Sequence, residues 1–129
     1  MQDVNGDLHG LAIGATIYSG SQVVERGGTA SGTTILGGTQ LVFGLASGTT
    51  IYAGGTEIVN EYDISPSATA IGTTIHTGGL EIVNAGGTDL GASISGGTQY
   101  DYGSASGDTI YGGFQVVEAG GIMLAVLKL

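Results

Sequence analysis

The chain of 129 residues has no cysteine, no tryptophan and a single proline. Without cysteine there is no disulfide framework, no zinc–thiolate site and no thiol nucleophile. Basic residues are almost as scarce: Arg26 and Lys128 stand against eleven acids, giving a formal net charge of −9. Such a surface repels phosphate backbones and anionic membranes, which excludes nucleic acid as a partner class. Aromatics make up only 6% of the residues, so the core that Ile, Val, Leu and Ala can build is thin and aliphatic. Nothing approaches the length of a transmembrane helix, and membrane insertion is not expected. Residues 1–11 show neither the basic n-region nor the apolar h-region of a signal peptide. A helical pattern is missing too. No window keeps an apolar 3.6-residue period, and each glycine of a pair would cost about 1 kcal/mol against alanine inside a helix.

What the chain does have is glycine, 27 of them, recurring in pairs between β-prone runs. The clearest stretch is 46–59, Ala-Ser-Gly-Thr-Thr-Ile-Tyr-Ala-Gly-Gly-Thr-Glu-Ile-Val, and variants of it occur six times. Aligned on the isoleucine, the copies centre on Ile17, Ile35, Ile51, Ile75, Ile94 and Ile110, with spacings of 18, 16, 24, 19 and 16 residues. A collagen or coiled-coil period must be strict. Coils of one design whose turns change length need not be, and a repeat of this size decides the fold before any local reading does.

The units run 12–29, 30–45, 46–69, 70–88, 89–104 and 105–122, with an insertion at 61–69 in the third and a degenerate fifth. Residues 1–11 read as an N-terminal half-coil that covers the first rung. Residues 123–129 break the pattern as a plain apolar run. Each unit holds two strand candidates of about four residues, rich in the Thr, Ile, Val and Tyr that suit a pleated surface. One unit cannot bury its isoleucine, whereas stacked units can. The expected fold is therefore all-β, a parallel β-solenoid (β-helix) of about six short coils. An antiparallel roll is the rival, disfavoured because corresponding residues recur once per unit with no mirrored order. Alternation assigns the faces. Ile51 points inward and Thr50 and Tyr52 outward. Ile58 is expected to point inward, Glu57 outward, and Val59 to sit at a corner.

The run Ala-Ser-Gly-Thr-Thr-Ile-x-x-Gly-Gly-Thr-Glu/Gln-x-Val followed by Gly-Gly-Thr-Ala resembles the repeats of AIDA-type autotransporter adhesins, over residues 12–122. The resemblance implies a β-helical passenger segment, extracellular or on the bacterial cell surface. The roles it implies are adhesion, self-association and biofilm formation, with heptose on repeat Ser and Thr in some members. Neither a signal peptide nor a translocator barrel is recognisable in these residues, and the fifth unit and the insertion depart from the pattern.

Three columns and one terminal run are the candidate sites. The residue after each core isoleucine supplies an outward column whose rings, Tyr18, Tyr52, His76 and Tyr111, can stack on sugars or on a neighbour, or simply on each other between rungs. A second outward column, Thr16, Thr34, Thr50, Thr74, Ser93 and Thr109, offers hydroxyls for glycosylation. The third, Gln22, Gln40, Glu57, Glu81, Gln99 and Gln115, is expected to be solvated. Its neighbouring carboxylates make a bridging calcium conceivable, but the calcium-repeat motif is absent and no metal is expected. His9 and His76 stand alone, without metal-ligand spacing. Of the terminal run, Met123, Leu124, Val126, Leu127 and Leu129 form either a cap folded over the sixth rung or a strand donated to another molecule.

No nucleophile elbow or phosphate loop is present. Arg26 and Lys128 lie at opposite ends of the array, so no base sits beside an acidic cluster as a lyase would need. The sequence therefore points to a non-enzymatic module without cofactors, whose partner is itself, end to end or laterally, or host or bacterial surface glycans.

Overall fold

A computed structural model describes residues 2–4, 10–60 and 68–129. Most of the expected N-terminal half-coil (5–9, with His9) and of the insertion (61–67) lies outside the described residues. The chain opens with β1 (Gln2–Val4). The first coil is β2 (Leu11–Ile13), β3 (Thr16–Ile17) and β4 (Ser21–Val24). The second is β5 (Thr29–Ser31), β6 (Thr34–Ile35) and β7 (Thr39–Val42). The third is β8 (Leu45–Ser47), β9 (Thr50–Ile51) and β10 (Thr56–Val59). The fourth is β11 (Thr69–Ile71), β12 (Thr74–His76) and β13 (Leu80–Val83). In the fifth and sixth coils two strands merge through the turn: β14 (Thr88–Leu90) is followed by β15 (Ser93–Asp101), and β16 (Ser104–Ser106) by β17 (Thr109–Val117). Then β18 (Ile122–Leu124) and β19 (Leu127–Lys128) begin a seventh.

Strands of successive coils pair in parallel, so the molecule is an all-β parallel solenoid of about six turns. Three faces enclose its interior, named here by the residues they turn inward. The Ile face stacks Ile17, Ile35, Ile51, Ile75, Ile94 and Ile110 in register, and they form one buried cluster. The Ala face turns in Ala12, Ala30, Ala46, Ala70, Asp89 and Ala105. The Gln face turns in two columns, the Gln/Glu residues and, two positions on, Val24, Val42, Val59, Val83 and Asp101. Coils of unequal length keep this register because the extra residues fall between the paired strands.

The corner between the Ala and Ile faces explains a recurring glycine. Gly14, Gly32, Gly48, Gly72, Gly91 and Gly107 all have φ between 67° and 73°, a left-handed conformation that costs any residue with a Cβ. In the seventh coil Ala125 occupies this corner at φ 54°.

The structure corrects three expectations. The first four coils have three strands each, not two, and the fifth and sixth the same three segments with two of them merged, because the triplets around the inward alanines also pair. They are too short and too small to read as strands alone, and acquire the conformation from the neighbouring rungs. Residues 123–129 continue the pattern: Ser104–Ser106 pairs with Ile122–Leu124 and Thr109–Ile110 with Leu127–Lys128. Lys128 there takes the place of the core isoleucine, which disguised the repeat. The third correction concerns the phase of the Gln face. Glu57 and Val59 are buried and Ile58 is half-buried, the reverse of the expected orientation of Glu57 and Ile58.

Candidate functional site

That inverted phase creates two features, a polar interior and an apolar exterior stripe. Inward Val24, Val42, Val59 and Val83 oblige the residue two positions earlier to point inward as well. The polar side chains tolerate this because they bond along the stack and to corner threonines. Gln40 Nε2 donates to Gln22 Oε1 at 2.7 Å and to Thr33 Oγ1 at 3.2 Å, while Thr49 Oγ1 donates to Gln40 Oε1 at 3.2 Å. Thr73 Oγ1 donates to Glu57 Oε1 at 2.9 Å. Further along, Gln99 Nε2 donates to Glu81 Oε1 at 2.7 Å and to Asp89 Oδ2 at 2.8 Å. Gln115 Nε2 donates to Gln99 Oε1 and, at 2.6 Å, to Asp108 Oδ2, whose other oxygen accepts the Ala92 N–H at 2.9 Å.

Five carboxyls are thus enclosed: Glu57, Glu81, Asp89, Asp101 and Asp108. Burial pushes every one above its ordinary value. Glu81 is raised well above it by burial, then by the charges of Asp89 and Glu57. Asp89 is pushed up to about 9, by burial first and by Asp108 second. All five are turned into the interior of the stack. Among the described residues, no group of three or more His, Asp or Glu side chains is placed to hold a metal ion. The sequence reading singled out neither Asp89 nor Asp108. The signal was Asp89 standing where other units carry the alanine of Thr-Ala-Ser.

The exterior stripe was missed as well. Val23, Leu41, Ile58, Ile82, Tyr100 and Val116 lie in register, half-buried, along the outside of the Gln face. At about 4.8 Å per rung the stripe is roughly 24 Å long. The row beside it, Ser21, Thr39, Thr56, Leu80, Thr98 and Phe114, is also uncharged, and Phe114 is 70% exposed. The parity of Val24, Val42, Val59 and Val83, the more uniform column, could have revealed it.

The ring column lies outside the Ile face. Tyr18, Tyr52 and Tyr111 are exposed and His76 is half-buried. Only one pair of rings meets at close range among the described residues: Tyr52 and His76 stack with centroids 4.7 Å apart and planes 11° from parallel. Those two rings cover one another on facing sides, the arrangement that steadies adjacent rungs. Of the hydroxyl column, Thr16 is exposed, and Thr34, Thr50, Thr74, Ser93 and Thr109 are half-buried in register. In the terminal run, Met123, Leu124, Leu127 and Leu129 are exposed, whereas Val126 packs against the isoleucine cluster.

No family model matches the chain, and no curated protein matches it. Among solved structures, the chain is similar to a crystallised TibC-catalyzed hyper-glycosylated TibA55-350 fragment, with 35% sequence identity and a TM-score of 0.86. The match takes in 95% of this chain and 45% of that one, so the chain spans less than half the length of the fragment it resembles. The resemblance read from the repeat motif is met by this structural match.

Proposed function

We propose, taking the chain as a β-solenoid repeat segment similar to the autotransporter adhesin TibA, that it is a structural, non-enzymatic module for adhesion and self-association at the bacterial surface. The observation that carries this reading is the uncharged apolar stripe outside the Gln face. Monomeric proteins seldom expose a continuous apolar row without a partner for it. A flat parallel sheet is also rigid, so a weak contact repeated along the rungs adds up without further ordering cost. The partner favoured is another copy, packed laterally stripe to stripe, because neither stripe brings a charge into the contact.

The outward hydroxyls Thr16, Thr34, Thr50, Thr74, Ser93 and Thr109 are the acceptors proposed for glycosylation, a reading supported by the hyper-glycosylated state of the TibA fragment. Mass measurement of the chain after co-expression with TibC checks it: added hexose- or heptose-sized increments support the reading, and an unmodified chain contradicts it.

The association itself is tested by sedimentation of the wild-type chain against Ile58→Lys/Ile82→Lys. The wild type should self-associate as concentration rises, and the double variant should stay folded and monomeric. Equal association of both chains would sink the stripe as the contact.

A further inference from the structure

Four of the five enclosed carboxyls, all but Asp101, fall into two pairs joined by one amide. Glu57 and Glu81 are register partners on adjacent rungs, both fully buried, and the charge of Glu57 helps to raise Glu81. Asp89 on the Ala face lies near Asp108 at the corner, whose charge helps to raise it. Gln99 Nε2 bridges the pairs, reaching Glu81 Oε1 at 2.7 Å and Asp89 Oδ2 at 2.8 Å. Among the described residues, no hydrogen bond reaches Glu57 Oε2, Glu81 Oε2 or Asp89 Oδ1. Buried oxygens of this kind are satisfied only when one carboxyl of each pair keeps its proton and gives it to the other.

Among the described residues, nothing on the surrounding elements offers a positive charge instead. The Ile face contributes Ile51, Ile75 and Ile94, and the Ala face Ala70 and Ala105 around Asp89. The corner contributes Thr49, Thr73, Ala92 and Asp108, and the Gln face Gln40, Gln99 and Asp101. Arg26 and Lys128 are exposed, and His76 is on the outer side stacked on Tyr52.

We propose that this interior is a proton-locked ladder: two protons, one in each carboxyl pair, hold the third to sixth coils closed, and their loss in alkaline solution opens the solenoid. Ionising both members of a pair would place like charges in contact in a medium that screens them poorly. The rungs can relieve that repulsion only by separating or by admitting water. The dependence on pH runs opposite to ordinary acid denaturation. In the unfolded chain Asp89 and Glu81 ionise near their ordinary values of 3.8 and 4.5, while in the fold these two keep their protons, Asp89 up to about 9. The unfolded state therefore binds fewer protons across that window, and stability is full below about pH 4 and drains away as pH rises towards 9.

Urea unfolding of the full chain across this range, compared with Glu81→Gln and Asp89→Asn, tests the ladder. The amides copy Gln22, Gln40 and Gln99, which already occupy the same column as Glu81. Expected are a wild-type midpoint that falls steadily with rising pH and a markedly flatter profile in the double variant. A flat or rising wild-type profile, or an unchanged slope in the variant, would overturn the proposal. So would an alkaline loss that added calcium abolishes, since the interior would then be a cation site. Should the variant fail to fold, carbon-13 NMR of wild-type carboxyl groups decides. Glu81 and Asp89 should give the signals of neutral acids at pH 7, and signals of ionised carboxylates there would refute the ladder.

Discussion

Ile51 is fully buried in the central isoleucine column, while the adjacent Tyr52 is 41% exposed. Truncating the first leaves a cavity between two rungs that cannot collapse far, because the backbone spacing is set by ladder hydrogen bonds. Ile51→Ala should cost about 2–5 kcal/mol. Tyr52→Ala loses mainly one stacked contact with His76 and should cost much less. Urea titration of both checks this, and equal losses would contradict the assigned faces. Ala125, at φ 54°, carries backbone strain that the six corner glycines avoid. Ala125→Gly should raise stability by about 1 kcal/mol, read as an upward shift of the unfolding midpoint. This corner was hidden in the sequence because its glycine signature is absent from the terminal run.

Strands of the Gln face were legible as strands and illegible in phase. A lone Thr-Glu-Ile-Val reads as two polar and two apolar residues, and hydrophobicity alone turns Ile58 inward. The structure turns Glu57 inward because each rung supplies the next with a hydrogen-bond partner, a property of the stack that no single strand contains. The Ala-face triplets escaped detection for a related reason: their inward residue is only an alanine, so the apolar alternation is faint. Isoleucine spacing, by contrast, marked the coils without ambiguity, since it survives turns of different length. At this scale Leu41→Ser, on the outer stripe, should leave the unfolding midpoint within about 0.5 kcal/mol of wild type. Gln40→Leu, in the interior, removes the partner of Gln22 and Thr49 and should cost about 1–3 kcal/mol. Comparable losses at the two positions would contradict the inverted phase.

For the whole molecule, composition foretold a solenoid with a thin core, and repeat order foretold its parallel pairing. The interior acids could not be foreseen from net charge, which counts them as surface. With five of the eleven acids enclosed and two of those keeping protons, the charge on the surface is smaller than −9, and lateral contact between copies meets less repulsion than composition suggests. Because protons rather than cations settle the interior, a chelator should leave the thermal midpoint unchanged at pH 6; a large fall would mean that a bound metal holds the rungs. The central claim is that the polar column faces the interior and the apolar column the solvent. The native chain has no cysteine, so single thiols can be placed on each side without background. Native-state labelling of Gln40→Cys and Leu41→Cys with a charged thiol reagent is the direct measurement. The account predicts rapid labelling at position 41 and protection at position 40 until urea unfolds the chain; rapid labelling at 40 with protection at 41 would contradict it.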